Sequence, residues 1–167
     1  IKYGADTNDV LPAITYWLMG SLSFSTSSIV WNLTIPMLSG ILILIFFSKY
    51  LNALSLGDEE AKALGVNTKL LKLIIILVAT LISALSVILA GIIGWIGLII
   101  PHITRLLFGA DNKVILPMSA LIGAIFLLLV DNTSKLIFSF EIPIGIVTAI
   151  IGIPIFIFVL KNAKKGF

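Results

Sequence analysis

The chain is predicted to be all-α, a polytopic transmembrane helical bundle of about five spans, and three observations predict it. Only 11% of its 167 residues are charged and 59% are hydrophobic, where a soluble domain carries about 25% charged residues. The charges are clustered: none falls within 10–48, 73–104 or 142–160, and each gap is near or above the roughly 20 residues that a helix needs to cross hydrocarbon. The period-two alternation of a barrel strand is absent. Backbone groups in lipid must pair within their own segment, so the spans are helices.

Residues 1–32 are expected to form an extracytoplasmic interfacial helix and loop. Asp9 lies near the start of that helix and Pro12 in its first turn, where proline is tolerated. The small polar run 20–28 (GSLSFSTSS) reads as loop, and Trp17 and Trp31 suit a headgroup belt. A first span is expected over 33–50 and a polar region over 51–69. A single helix over 70–108 would be roughly 58 Å long, nearly twice the hydrocarbon thickness. Gly91, Gly94 and Gly97 sit in its middle, and glycine weakens a helix interior by about 1 kcal/mol. The stretch is therefore split into spans at 70–90 and 95–108. Two more follow at 114–138 and 143–160, with Glu141 and Pro143 starting the last, and 161–167 form a tail.

Charge sidedness tests the split. With five spans, Lys49, Lys62, Lys69, Lys72, Arg105, Lys113, Lys161, Lys164 and Lys165 share one side, and only Lys2 and Lys135 lie on the other. With four spans the basic residues divide between the sides. The positive-inside rule favours five, with the basic side and the C-terminus cytoplasmic. The lysines are scattered at loop ends, so nucleic acid is not an expected partner. The chain begins at Ile1 without methionine and lacks a signal-peptide layout. It is read as a C-terminal piece of a longer protein or one cut artificially. There is no cysteine, which excludes disulfides and thiolate metal sites.

Four motifs stand out. Residues 56–67 (LGDEEAKALGVN) are too polar to enter a bilayer. Gly57, Asp58 and Glu59 open a helix with acids at its N-terminus, where the macrodipole favours them, and Gly65 suits its C-cap. The plain reading is an amphipathic loop helix. The sharper one is a docking helix for a soluble motor, with Ala61, Ala63 and Leu64 as its contact surface. Residues 90–105 (AGIIGWIGLIIPHITR) combine small residues, Gly94 and Gly97, that let helices approach in lipid. Pro101 can kink the helix, and His102 and Arg105 share a face. A structural role as kink and polar anchor is favoured over a metal site, because no second ligand accompanies His102. Asp131 and Lys135 are an i, i+4 pair that can neutralise itself or present a positive charge outward. In 141–154 (EIPIGIVTAIIGIP), Pro143 starts a helix, Gly145, Ala149 and Gly152 form a small-residue stripe, and Thr148 can bond back to its own helix. No phosphate loop, H-E-x-x-H or G-x-S-x-G is present, so no catalysis is expected of this chain and any ATP is bound elsewhere.

In this order, the segments YWLMGS (16–21), LGDEEAKALG (56–65), GWIGLIIPHITR (94–105), LPMSA (116–120), LLVD (128–131) and EIPIGIVT (141–148) resemble the FecCD/BtuC-like permeases of bacterial ABC importers for iron–siderophore, haem and cobalamin. The likeness covers almost the whole chain and corresponds to the C-terminal half of a ten-span permease of the type II importer fold. It implies a multi-pass protein of the bacterial inner membrane. A second permease subunit would complete a pathway at the shared interface, and ATPase subunits would bind beneath through a coupling helix at 56–66. A substrate-binding protein would dock outside. It also implies that Lys135, where relatives often carry arginine, receives acids of the binding protein, although lysine lacks the bidentate fork. No cofactor is expected on this chain; ATP would be used by the partner. Two other readings stay open: an ion-coupled secondary transporter using Asp131, and a truncated membrane protein that transports nothing.

Overall fold

Apolar runs of good helix formers propagate until glycine or a polar turn stops them, and here they give helices throughout. The computed structural model describes residues 10–22, 25–137 and 142–163. In chain order these residues form α1 (Val10–Leu18), α2 (Ser27–Phe46), α3 (Ser48–Leu54), α4 (Asp58–Ala63), α5 (Thr68–Ala90), α6 (Ile96–Phe108), α7 (Asn112–Ile137) and α8 (Ile144–Ala163). By length and composition, α2, α5 and α7 can cross a membrane, and α6 and α8 supply shorter apolar stretches. Asp9, Glu141, Lys2, Lys164 and Lys165 lie outside the described residues.

Helix α7 is the hub, packing on α2, α3, α6 and α8, while α5 packs on α2. The interior is small and partly polar. Thr104 and Thr148 are almost wholly buried alongside Ile99, Ile100, Ile115 and Val130, whereas Ile35, Leu42, Leu128 and Leu136 face outward. Association in lipid relies on close packing and interhelical hydrogen bonds rather than on hiding oily side chains, and this distribution fits that regime. Thr104 donates to the Ile100 carbonyl at 2.8 Å and accepts from Ser119 at 3.2 Å, joining α6 to α7. Thr148 bonds back to the Gly145 carbonyl at 3.0 Å.

Three chain breaks meet at one end. The Ser21 N–H donates to the Ala90 carbonyl at 3.0 Å, and the Ile144 N–H to the Gly20 carbonyl at 2.8 Å. Gly91 has φ +67, and a Cβ there would overlap the Trp17 carbonyl; one at Gly145 would overlap the Met19 carbonyl. The turn after α1 is thus seated directly on the end of α5 and the start of α8, backbone on backbone. At the opposite end Asn67 caps α5, its side chain accepting from the Leu70 N–H at 3.1 Å. Replacing an N-cap of this kind typically costs about 1 kcal/mol. Asn67→Ala is expected to speed amide exchange in the first turn of α5 while leaving its middle unchanged.

Several element boundaries differ from the sequence expectation. Helix α2 begins at Ser27, not at 33, because Thr26 is extended (φ −81, ψ 151) and the chain turns helical directly after it. Ser27 and Ser28 sit in the first turn, where serine is at home, so the loop expected through 28 is shorter and 27–32 belong to α2. The stretch 33–50 is not one helix: Phe47 (φ −82, ψ 0) interrupts it, and α3, which was not anticipated, starts at Ser48. The break in 70–108 lies between Ala90 and Ile96, with Gly91 (φ 67, ψ −152) ending α5. Helix α7 starts at Asn112 and α8 reaches Ala163.

Candidate functional site

Short polar helices between apolar ones can only lie at a bundle end, and α3 and α4 do so together. Gly57 precedes α4 with φ +123, a conformation open to glycine but strained for other residues. The Glu60 carboxylate folds over it, into the space a Cβ would take. At the other end of α4 the Gly65 N–H donates to the Lys62 carbonyl at 2.9 Å, and the Val66 N–H to the Ala61 carbonyl at 3.0 Å. With Gly65 at φ +81, this is a Schellman closure. The knob is therefore short and stopped at both ends by glycine.

Its faces are sorted. Ala61 is 0% exposed and packs inward beneath α4. This corrects the expectation that Ala61 contacts a partner: its side chain is already covered within this chain. The outward face carries Glu59, Glu60, Ala63 and Leu64, with Leu56 beside it; Leu56 and Leu64 are each 65% exposed. Asp58 pairs with Lys72 of α5 at 2.6 Å, and Glu59 with Lys62 at 2.8 Å. Glu60 has no ion-pair partner among the described residues. The result is an acidic rim around two exposed leucines.

Helix α3 fixes this knob to the α6–α7 corner. Asn52 Nδ2 donates to Asp111 Oδ1 at 2.6 Å, and Asn52 Oδ1 accepts from the Asn112 N–H at 2.9 Å and Asn112 Nδ2 at 2.8 Å. Asp111 Oδ1 also accepts from the Lys113 N–H at 2.9 Å. The Asn52 side chain and then the Lys113 N–H hold the Asp111 carboxyl below its ordinary range, outweighing a small opposing effect of burial. A depressed pKa contributes stability that is present above the unfolded value and is lost as pH falls through the folded one. The clamp therefore persists under mild acidification. Sequence spacing could not show it, because Asn52 and Asp111 stand 59 residues apart; the one local signal was an Asp-Asn pair just ahead of an apolar run, the mark of a helix start.

The same contacts place the described charges. Lys49, Lys62, Lys69, Lys72, Arg105 and Lys113 lie on α3, α4, the start of α5, the end of α6 and the start of α7, all at this end. Lys135 lies at the other, paired with Asp131 at 2.8 Å; the Asp131 side chain is only 18% exposed.

The remaining motif residues divide. His102 is exposed, its ring centroid 6.4 Å from that of Phe156, and Arg105 is exposed with no ion-pair partner among the described residues. Both border a hollow of about 380 Å³ with Gly97, Leu98 and Pro101. Helix α6 continues through Pro101. Within this chain a Cβ on Gly94 or Gly97 would meet open space, whereas close approach occurs at Gly91 and at Gly145, the latter a member of the expected small-residue stripe. Gly152 does pack closely, against Ile99 and Trp95 of the α6 region. Pro143 is buried at the junction, next to buried Ile144. Among the described residues no group of three or more His, Cys, Asp or Glu side chains could hold a metal ion.

The sequence model of the FecCD transport family matches residues 2–162. The molybdate import system permease protein MolB of Haemophilus influenzae is 42% identical over 166 residues, covering 99% of this chain and 49% of the relative. The iron(3+)-hydroxamate import system permease protein FhuB of Bacillus subtilis is 38% identical over 159 residues, covering 95% and 41%. A solved chain of an ABC transporter assigned to the metal-chelate type, in an inward-facing conformation, superposes with a TM-score of 0.86 at 42% identity, covering 96% of this chain and 52% of that one. The chain thus spans about half the length of the relatives it matches. With the family profile running over nearly every residue and the helical arrangement shared, the chain belongs to the FecCD transport family and has the BtuC-like all-helical permease fold.

Proposed function

We propose that this chain is part of the permease subunit of an ATP-binding-cassette importer, and that α3 and α4 form the surface on which a separate ATPase docks. One observation carries the reading: a short helix with exposed leucines in an acidic rim, stopped at both ends by glycine and fastened to two neighbouring elements, at the end where the basic residues gather. By the positive-inside rule that end faces the cytoplasm. Lys135, at the opposite end, then faces outward and suits an acidic patch on a substrate-binding protein. The exposed apolar faces of α2, α5 and α7 would be covered by lipid, by the rest of the permease and by a second permease subunit, with the pathway between subunits. The named relatives suggest a metal chelate such as an iron(3+)-hydroxamate, or an oxyanion such as molybdate, as the cargo class, and the family resemblance adds haem and cobalamin. This chain would hydrolyse nothing; ATP would be spent on the partner, and no cofactor is assigned here.

An ion-coupled carrier would need an available carboxylate near mid-membrane. Asp131 is the candidate for it, and Asp131 is paired with Lys135 near the end of α7. Purification of the intact membrane protein in mild detergent is expected to bring an ATPase with it, and uptake into vesicles is expected to need ATP. Uptake driven by a proton or sodium gradient with no ATPase present would overturn the proposal.

A further inference from the structure

The geometry points to Asn52 as a positioning residue that carries movement of the α4 knob to the α6–α7 corner; this rests on the docking reading above and deepens it. Helix α4 packs chiefly on α3 and α5, so any push on it leaves by one of two routes. Toward α5 the polar link is the Asp58–Lys72 pair, whose side chains are 50% and 44% exposed. An exposed pair of this kind is screened and holds weakly. Toward α6 and α7 the link is Asn52, which makes three hydrogen bonds to two successive residues. The bond to the Asp111 carboxylate is itself exposed, but the two to Asn112 are part-buried, and three bonds from one side chain hold a geometry that a single exposed pair does not. One of the two satisfies the Asn112 N–H at the first residue of α7, a donor that has no partner inside its own helix. Asn52 therefore caps α7 from a different element.

That attachment point matters because of what lies beyond it. Helix α7 is the hub of the bundle, and Asp111 closes the turn that leads out of α6. A displacement of α3 cannot leave the corner behind without breaking all three bonds. The Asp58–Lys72 pair, by contrast, can stretch or re-form through water. The route through Asn52 thus joins the docking knob to the helix that carries Pro101, His102 and Arg105.

The test uses the intact transporter with its ATPase in proteoliposomes, and Mg-ATP as the only probe. These 167 residues contain no cysteine, and with any cysteine in the rest of the transporter and its ATPase replaced, single reporters are clean. Leu106→Cys reports on the last turn of α6 and Lys62→Cys, exposed on α4 but off its outward face, on α4, each read as the rate of reaction with a water-soluble maleimide. In the parent, ATP is expected to change both rates. In Asn52→Ala the α4 reporter is expected to respond as before, while the α6 response shrinks about tenfold, within the usual range for coupled sites. Asp111→Asn keeps a carbonyl acceptor for Asn52 and is expected to retain the α6 response. Asp111→Ala removes it, and serves as the second loosening variant should Asn52→Ala not insert. An undiminished α6 response in either alanine variant overturns the role of Asn52. An α4 reporter silent to ATP in the parent overturns the docking reading, and this inference with it.

Discussion

Gly91→Ala is expected to abolish accumulation of folded protein, or to lower stability by about 3 kcal/mol or more, the scale of a strained backbone position combined with a steric clash. Gly91 has φ 67 and ψ −152, a combination that side chains rarely adopt. Its missing Cβ is also where the Trp17 carbonyl sits. A backbone atom cannot swing aside as a side-chain tip can, so the turn after α1 would have to leave α5. The Ser21–Ala90 and Gly20–Ile144 bonds would go with it. The comparison that isolates the cause is Gly97→Ala, six residues further along but structurally open. A Cβ at Gly97 meets nothing within 4 Å in this chain, and alanine favours a helix interior over glycine by about 1 kcal/mol. Folded yield by size exclusion and unfolding in mixed micelles would compare the two. Equal stability of Gly91→Ala and the parent would refute the seated junction.

The second large effect concerns the knob. Leu64→Asp is expected to leave insertion and folding intact, because the side chain is 65% exposed and packs on little. It is expected to weaken ATPase binding roughly 30-fold, the size of losing one hot-spot contact of about 2 kcal/mol. Glu59→Lys reverses a charge on the same rim and is expected to act in the same direction. Both variants should cut ATP-driven uptake in vesicles. Ala61→Leu gives the opposite signature: Ala61 is fully buried, so overpacking there should cost stability of the α3–α4 unit before it affects docking. Normal uptake by both Leu64→Asp and Glu59→Lys would count against the docking surface.

Much of this architecture was legible in the chain because lipid imposes a simple rule. Charge-free runs of span length must be helices, and the glycines at 91, 94 and 97 marked where 70–108 breaks. The acids at 58–60 and Gly65 located α4 to within a residue. What could not be read was anything set by tertiary approach. Gly91 and Gly94 look alike in sequence, yet only Gly91 has a carbonyl pressed against it. Ala61 and Ala63 are equally apolar, and only the packing of α4 on its neighbours separates the buried one from the exposed one. The serines at 27 and 28 suggested loop by composition, but a helix N-terminus accepts serine as readily as a loop does. The Asn52 clamp joins residues far apart in the chain, and no local pattern encodes such a partner.

Sidedness of single cysteines tests the central claim most directly. Cysteines placed at Leu64 and at Lys135 in the cysteine-free chain would be exposed to an impermeant maleimide in right-side-out and in inverted vesicles. The expected result is reaction at position 135 only from outside and at position 64 only from inside, with added ATPase protecting position 64. Labelling of position 64 from the outer face, or no protection by the ATPase, would contradict a cytoplasmic docking helix and the importer reading built on it.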